Sequence, residues 1–431
     1  MPDSTAPAPL TSSAPSAASP SSSSPSVAWA ALISYLREWF DLSDSAVEAF
    51  KAVFLAALVH SIPECEPVWC MVTGVPGSGK TSVAIRCLSA FPGAYVMSGI
   101  SENTLLSSFG NSKKQRKESS LLHRLGPTPR ILIKDFTTLL SKREHVRDEV
   151  FAQLRELHDG QLRSDRGNGE SVEWQGKATV IAAVTPAVER KWDAMRELGE
   201  RFLLVRWPKG DPFVTGRLAR RQGDKTIEGS GAMRIKATQL RLTSALISTF
   251  QSRLADPPVV SPEIGERLDA LAEIVGMTRA QVIRDSHGKR SVIDICAYEA
   301  TSRVSSALQS IAIGAAMLHG VGEVGESELA LARRVALDTI PIRRARILNT
   351  IPHAAPIEKK LIQNTLNLPI ANLNWNLTEM RHIGIIEPAE TLLGSAVAFT
   401  PGFRTLRELA GLAPSKAARK IEIVRTGALS D

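Results

Sequence analysis

Residues 27–62 carry apolar side chains at helical spacing, with Asp44 or Ser45 as candidate N-caps, and Pro63 and Pro67 close that run. A continuous apolar stretch at 68–73 then has the length of a buried strand, and helical spacing returns over 82–90 before Pro92-Gly93. Further short apolar runs at 94–97, 130–135, 177–184 and 202–205 read as strands, and 142–158 reads as a helix. This alternation predicts an α/β core built on a parallel sheet with flanking helices. One segment breaks it: residues 160–174 read as a β-hairpin whose tip, Asp165-Arg-Gly-Asn-Gly169, offers the Gly and Asn that tight turns need.

The loop between the 68–73 strand and the 82–90 helix is Gly74-Val-Pro-Gly-Ser-Gly-Lys-Thr81. This is G-x-x-x-x-G-K-[ST] in the strand–loop–helix setting that the P-loop motif requires. Glycines let backbone N–H groups turn toward a polyphosphate, and the helix N-terminus adds positive partial charge. Gly74, Val75, Pro76, Gly77, Ser78, Gly79, Lys80, Thr81 and Ser82 are the expected nucleotide cradle. Lys80 would reach the β- and γ-phosphates, and the Thr81 hydroxyl would ligate Mg²⁺. The 130–135 strand ends in Asp135, about where a P-loop protein places the acid of its metal shell, so ATP with Mg²⁺ is the expected ligand.

Residues 1–26 are almost entirely Ser, Pro, Ala and Thr and are expected to be a disordered tail. The chain has 431 residues, 43% apolar and 22% charged, which allows one to three soluble domains. A formal net charge of +8 suits a polyanionic partner. Cys65, Cys70, Cys87 and Cys296 have neither metal-site spacing nor disulfide density, so a reducing compartment is expected. With no basic n-region and no membrane-length apolar run, the expectation is a cytoplasmic protein with no membrane partner.

The order of these parts resembles the AAA+ ATPase family, in particular the branch with a β-hairpin before the sensor strand, as in MCM-type helicases. Gly74–Thr81, Asp135, the 160–174 hairpin, Ala182-Ala-Val-Thr-Pro186 and Gly199-Glu-Arg-Phe202 carry the likeness over about residues 45–340. It implies a core over 27–210 and an all-α lid over 211–340, working as a ring or partial ring of identical subunits. It also implies that Thr185 is the polar sensor residue, that Arg201 is an arginine finger serving a neighbouring subunit, and that Arg303 is the sensor-2 arginine of the lid. Lys80, Asp135, Thr185, Arg201 and Arg303 are then the catalytic set, with Thr81 and Asp135 on the metal. The family usually follows the strand-terminal Asp with Glu; here Phe136 stands in that place, and Glu102 and Glu144 are substitutes for the water-polarising acid.

After Pro341 two short helices, 357–366 and 370–383, flank the turn Asn367-Leu-Pro369, and strands at 385–386 and 397–399 follow. That is a winged-helix layout over 341–405, with a basic tail over 406–431. Asn372, Asn374, Asn376 and Arg381 would face DNA, while Leu373, Trp375, Leu377 and Met380 would face the core. Arg163 and Arg166 on the hairpin are further candidate DNA contacts. The leading expectation is an ATPase acting on DNA, as a helicase or a remodeller of DNA complexes. An ATP-gated DNA-binding regulator with little turnover and a protein-remodelling ATPase are the alternatives.

Overall fold

A five-stranded sheet organises the first half of the chain. Its strands are β1 (Trp69–Thr73), β2 (Ala94–Met97) and β3 (Arg130–Ile133), then, beyond the separate hairpin β4 (Gln161–Asp165) and β5 (Ser171–Gln175), β6 (Thr179–Val184) and β7 (Phe202–Arg206). They lie in the order β2-β3-β6-β1-β7, all parallel. The structure is a computed structural model. It describes residues 24–101, 104–106, 119–165, 171–191, 195, 198, 199, 201–285, 292–295, 301–391 and 394–412.

Alternate residues of each strand enter different cores, as the period of two demands. Cys70, Val72, Leu132, Ile181, Ala183, Leu203 and Val205 join a core shared with the helices Asp44–Val59, Ser302–His319 and Glu326–Thr339. Trp69, Met71, Ile131, Ile133, Val180, Ala182, Phe202 and Leu204 join the opposite core, under the helix Glu144–His158 and the β4–β5 hairpin. Burial on both faces is why these strands read as unbroken apolar runs.

Two cations, the buried Arg130 and the half-buried Lys177, fasten the end of the Asp44–Val59 helix to the sheet. The Arg130 guanidinium donates from Nε to the Ala57 carbonyl at 2.9 Å, from Nη1 to the Pro92 carbonyl at 2.8 Å, and from Nη2 to Ser61 Oγ at 2.5 Å. Lys177 Nζ donates to the carbonyls of Ile62, at 2.9 Å, and Cys65. A helix C-terminus presents unpaired carbonyls, so cations there satisfy both hydrogen bonding and the dipole. At the sheet's other edge, β7 would expose unpaired amides. The Leu204 amide donates instead to Thr339 Oγ1 at 3.0 Å, and the Arg206 amide to Asp338 Oδ2 at 2.9 Å. The end of the Glu326–Thr339 helix thus closes the edge.

Residues 211–340 are mainly helical, with helices Pro212–Gly223, Ala232–Ser248 and Pro262–Arg279 preceding the two already named. The all-α expectation fails at one place. Strands β8 (Val282–Arg284) and β9 (Val292–Ile295) pair antiparallel, and the next helix begins only at Ser302. β-branched Val and Ile make up most of both strands, a strand preference hidden in a helical context. The tail also ends earlier than residue 26. Ser24 Oγ accepts from the Val27 amide and caps the helix Pro25–Trp39, with Pro25 in its first turn.

The C-terminal part has the strand β10 (Ile357–Glu358) and the helices Lys359–Leu366 and Ile370–His382. Strands β11 (Ile386–Thr391) and β12 (Gly394–Phe399) and the helix Pro401–Leu409 follow. The three strands form one antiparallel sheet in the order β10-β12-β11. Asn367 makes the turn between the two helices with φ +48°, the left-handed conformation Asn tolerates. Among the described residues no helix is long and apolar enough to cross a membrane.

Two imidazoles, the buried His60 and the partly buried His158, tie this packing to pH. Burial, reinforced by Arg130, lowers His60 to about 3; burial, reinforced by Arg201, lowers His158 to about 4. The unfolded chain takes up these protons near pH 6.5 and the folded one only well below it, so stability falls as the pH drops from about 6.5 toward 4. The midpoint of thermal unfolding should therefore drop between pH 7 and pH 4.5, and His60→Gln should drop by less. An equal drop in both proteins would remove His60 from the account.

Candidate functional site

The Gly74–Thr81 loop leaves the carboxyl end of β1, and its backbone takes the turns its glycines permit. Gly77 and Gly79 hold φ of +77° and +96°. Gly74 is required for a different reason: a Cβ there would lie 2.9 Å from the Trp207 carbonyl and 3.1 Å from Trp207 Cβ. Trp207 is the wall of the loop. Its amide donates to the Thr73 carbonyl and its indole Nε1 to the Ser78 carbonyl, both at 2.7 Å.

The helix after the loop departs from the α-helix expected over 82–90. Lys80–Ile85 is a π-helical run, followed by one α-helical turn, Arg86–Leu88. The Ser82 carbonyl takes a hydrogen bond from the buried Gln239 side chain at 3.1 Å, and Gln239 Oε1 accepts from Arg86 Nη1 at 3.2 Å. A carbonyl satisfied from outside removes part of the cost of the wider turn. Such turns recur at functional sites.

Lys80 is buried and folded back on the loop. Its Nζ donates to the carbonyls of Gly74 at 2.6 Å and Val75 at 2.8 Å. Burial lowers its pKa, and the nearby Asp135 charge opposes that shift. Thr81 is exposed and Ser82 half-buried on the first turn.

Strand order brings the remaining core residues to the same edge. β3 and β6 pair Ile133 with Ala182, and β6 and β1 pair Val184 with Thr73, so Asp135 and Thr185 emerge level with the start of the loop. Asp135 Oδ1 accepts from the Thr137 amide at 3.0 Å. Thr137 Oγ1 in turn accepts from the Thr185 amide at 3.0 Å and lies 3.4 Å from Thr185 Oγ1. Thr137, which no motif marks in the sequence, therefore links the two. Phe136 points the other way, fully buried, its ring 5.9 Å from that of Phe202. Of the two substitute acids, Glu144 sits exposed on the first turn of the Glu144–His158 helix, 3.8 Å from Arg147, and Glu102 lies outside the described residues.

A third carboxylate does stand at this edge. Glu189, on the 3-10 turn Pro186–Lys191 just past Thr185, is ion-paired with Arg206 at 2.5 Å and accepts from the Ile342 amide at 3.3 Å. It lines a cleft of about 1350 Å³ together with Gly74 and Thr185. On the other side of the loop a second cavity, about 550 Å³, is lined by Trp39, Phe40, Leu42, Gly77, Pro212 and Gln222.

The two arginines of the expected catalytic set are not at this edge. Arg201 precedes the first residue of β7, which pairs with Trp69 at the amino end of β1, so roughly 17 Å of strand separates it from the loop. It is buried, donating to Asp159 Oδ2 at 2.9 Å and to the Leu198 carbonyl at 3.1 Å. Arg303 shares the same carboxylate at 3.6 Å.

Of the candidate DNA contacts, Asn372, Asn374 and Arg381 are exposed on the Ile370–His382 helix, and Arg163 is exposed on β4. Arg166 lies outside the described residues. Two positions of the helix exchange roles. Asn376 is buried, its Nδ2 donating to the Asn372 carbonyl at 2.7 Å, while Trp375 is 39% exposed under the Arg284 guanidinium, 3.7 Å from the ring centre. The helix packs on Leu373, Leu377 and Met380, so its buried face centres between 376 and 377. Cys65, Cys70 and Cys87 are buried free thiols, with burial raising Cys70 and Cys87 to about 12; Cys296 lies outside the described residues.

No protein-family model matches the chain, and no curated protein is similar to it. What the site does must come from its own geometry.

The wall at Gly74 yields a test. Gly74→Ala forces the Trp207 backbone to move and should cost about 1–3 kcal/mol in urea unfolding. An unchanged midpoint would show that Trp207 yields freely and does not fix the loop.

Proposed function

We propose that this protein is a P-loop ATPase of the AAA+ type that acts on DNA through a C-terminal winged helix. The observation that carries the reading is the convergence of the Gly74–Thr81 loop, Asp135 and Thr185 on one edge of a parallel sheet. Ligands of open parallel sheets bind at the carboxyl ends of the strands. In this reading the triphosphate lies over the loop, and the 550 Å³ cavity between Trp39, Leu42 and Pro212 takes the base.

Lys80 then gives up the carbonyls of Gly74 and Val75 for phosphate oxygens, regaining a full partner for its charge. The Thr81 hydroxyl and Asp135 carboxylate fit a hard, mostly phosphate-held cation: one exposed oxygen on the first turn, and one carboxylate oriented by the Thr137 amide. They would hold Mg²⁺, which supplies charge neutralisation on the phosphates. Thr185 stands where a hydroxyl orients the terminal phosphate. Arg201, on the far edge, serves a neighbouring subunit in this reading and must leave Asp159 to do so. The helices Lys359–Leu366 and Ile370–His382 with the β11–β12 wing form the DNA module, and Asn372, Asn374 and Arg381 are its outward side chains.

One observation favours a second reading, a nucleotide-gated DNA-binding regulator with little turnover. The position of the expected water-polarising acid holds Phe136 inside the core, and Glu189 is engaged by Arg206 and the Ile342 amide. Both readings need triphosphate binding; they differ in rate.

The deciding measurement is nucleotide binding and steady-state hydrolysis, with and without single- and double-stranded DNA. Wild-type protein should bind ATP and Lys80→Ala should not. Hydrolysis should be slow and stimulated by DNA, and Arg201→Ala should abolish it without weakening binding. Binding with no DNA-stimulated turnover would leave the gated regulator, and no triphosphate binding would refute both.

A further inference from the structure

The 1350 Å³ cleft is larger than a bound mononucleotide requires, and its lining is strongly basic. One wall is the nucleotide edge of the sheet, Thr73 to Pro76 with Thr185; the other is the Trp375–Glu379 side of the Ile370–His382 helix. Its two carboxylates are already committed: Glu189 to Arg206, and Glu379 to Arg344 at 3.0 Å and Arg284 at 3.4 Å. Arg190, Lys209 and Arg343 also line it, are exposed, and carry no ion pair among the described residues. Trp375 presents an exposed indole in the same cleft, held by the Arg284 guanidinium stacked on its ring.

We infer that this cleft is a binding site for single-stranded nucleic acid. Three exposed cations suit successive phosphates of one strand, and an exposed indole braced by a guanidinium suits a stacked base. Duplex DNA is a poor fit, because the cleft lies between the two walls and not on a convex face. The strand would run on the side of the Ile370–His382 helix opposite Asn374, between the C-terminal module and the P-loop. The inference rests on the nucleic-acid part of the proposed function and not on the P-loop being occupied. Since Gly74 to Pro76 form both the loop and the cleft wall, a triphosphate would alter strand affinity from the adjoining side.

The test measures binding of a fluorescent oligothymidylate to the full chain without nucleotide, across a salt series. Arg190→Ala, Lys209→Ala and Arg343→Ala combined should weaken binding. They should also reduce the slope of log affinity against log salt by about 2, from three contacts at roughly 0.7 each. Trp375→Ala should weaken binding on the order of tenfold at every salt concentration. All four residues are exposed, and an unchanged thermal midpoint would check that the variants fold. Lys80→Ala should bind the oligonucleotide as wild type does, which separates this site from the nucleotide site. An unchanged slope in the triple variant would overturn the inference. So would loss of strand binding confined to Asn372→Ala, Asn374→Ala and Arg381→Ala, or a triple variant that loses ATP affinity and keeps the strand.

Discussion

Everything at the candidate site depends on β6 lying between β1 and β3. Neighbouring strands are separated by about 4.8 Å, so this insertion sets Asp135 roughly 10 Å from the start of the loop and puts Thr185 between them. That spacing leaves room for phosphates and a hydrated cation, with Thr185 at the middle. Were β3 paired directly with β1, the Asp135 carboxylate would crowd the Lys80 ammonium and the site would close as an ion pair. The insertion holds because both faces of β6 are apolar and buried, which no edge strand needs to be.

The same edge continues into the C-terminal part through hydrogen bonds to β7. Asp338 and Thr339 hold the outer amides of β7, and Arg206 at its end reaches both Glu189 and the Ile340 carbonyl at 2.7 Å. Glu189 in turn accepts from Ile342, the first residue of the Ile342–Leu348 helix. Two residues along, Arg344 is buried and donates to the carbonyls of Thr278 and Ala280 and to Glu379 on the Ile370–His382 helix. A chain of charged contacts thus runs from beside Thr185 to the C-terminal module. Burial raises the pKa of the Asp338 carboxyl, a cost the protein accepts to keep the β7 edge closed. Such a chain gives a physical route for coupling; coupling itself requires that some link have two arrangements.

Much of this was legible in the sequence where local pattern and local chemistry agree. The five core strands, the β4–β5 hairpin and the loop glycines were readable because apolar runs, turn residues and phosphate-binding spacing all point the same way. What was not legible came from partners distant in sequence. Nothing around Trp207 announces that it walls the loop 130 residues earlier, and nothing near Thr137 marks it as the link from Asp135 to Thr185. The β8–β9 hairpin was lost inside a helical pattern. At 375 and 376 the helical stripe is ambiguous by one residue, and composition favours the wrong choice: Trp is the larger apolar group. The structure resolves it because Arg284 offers the indole a stacking partner and the Asn376 amide can bond to its own helix.

Asp159 carries the clearest tension between fold and proposed mechanism. It gathers Arg201 and Arg303 at the edge of the sheet farthest from the loop, next to His158, whose proton affinity Arg201 helps suppress. A buried guanidinium with its carboxylate removed would be left with an uncompensated charge, which costs several kcal/mol. In the proposed mechanism Arg201 would therefore leave Asp159 only for an anion at least as good, such as a phosphate presented by a neighbouring subunit. Arg303, half-exposed, has less to lose and would remain to neutralise Asp159 when Arg201 departs. Under that proposal the pair is a holding arrangement: Asp159 keeps the buried Arg201 satisfied, and Arg303 would lower the cost of releasing it.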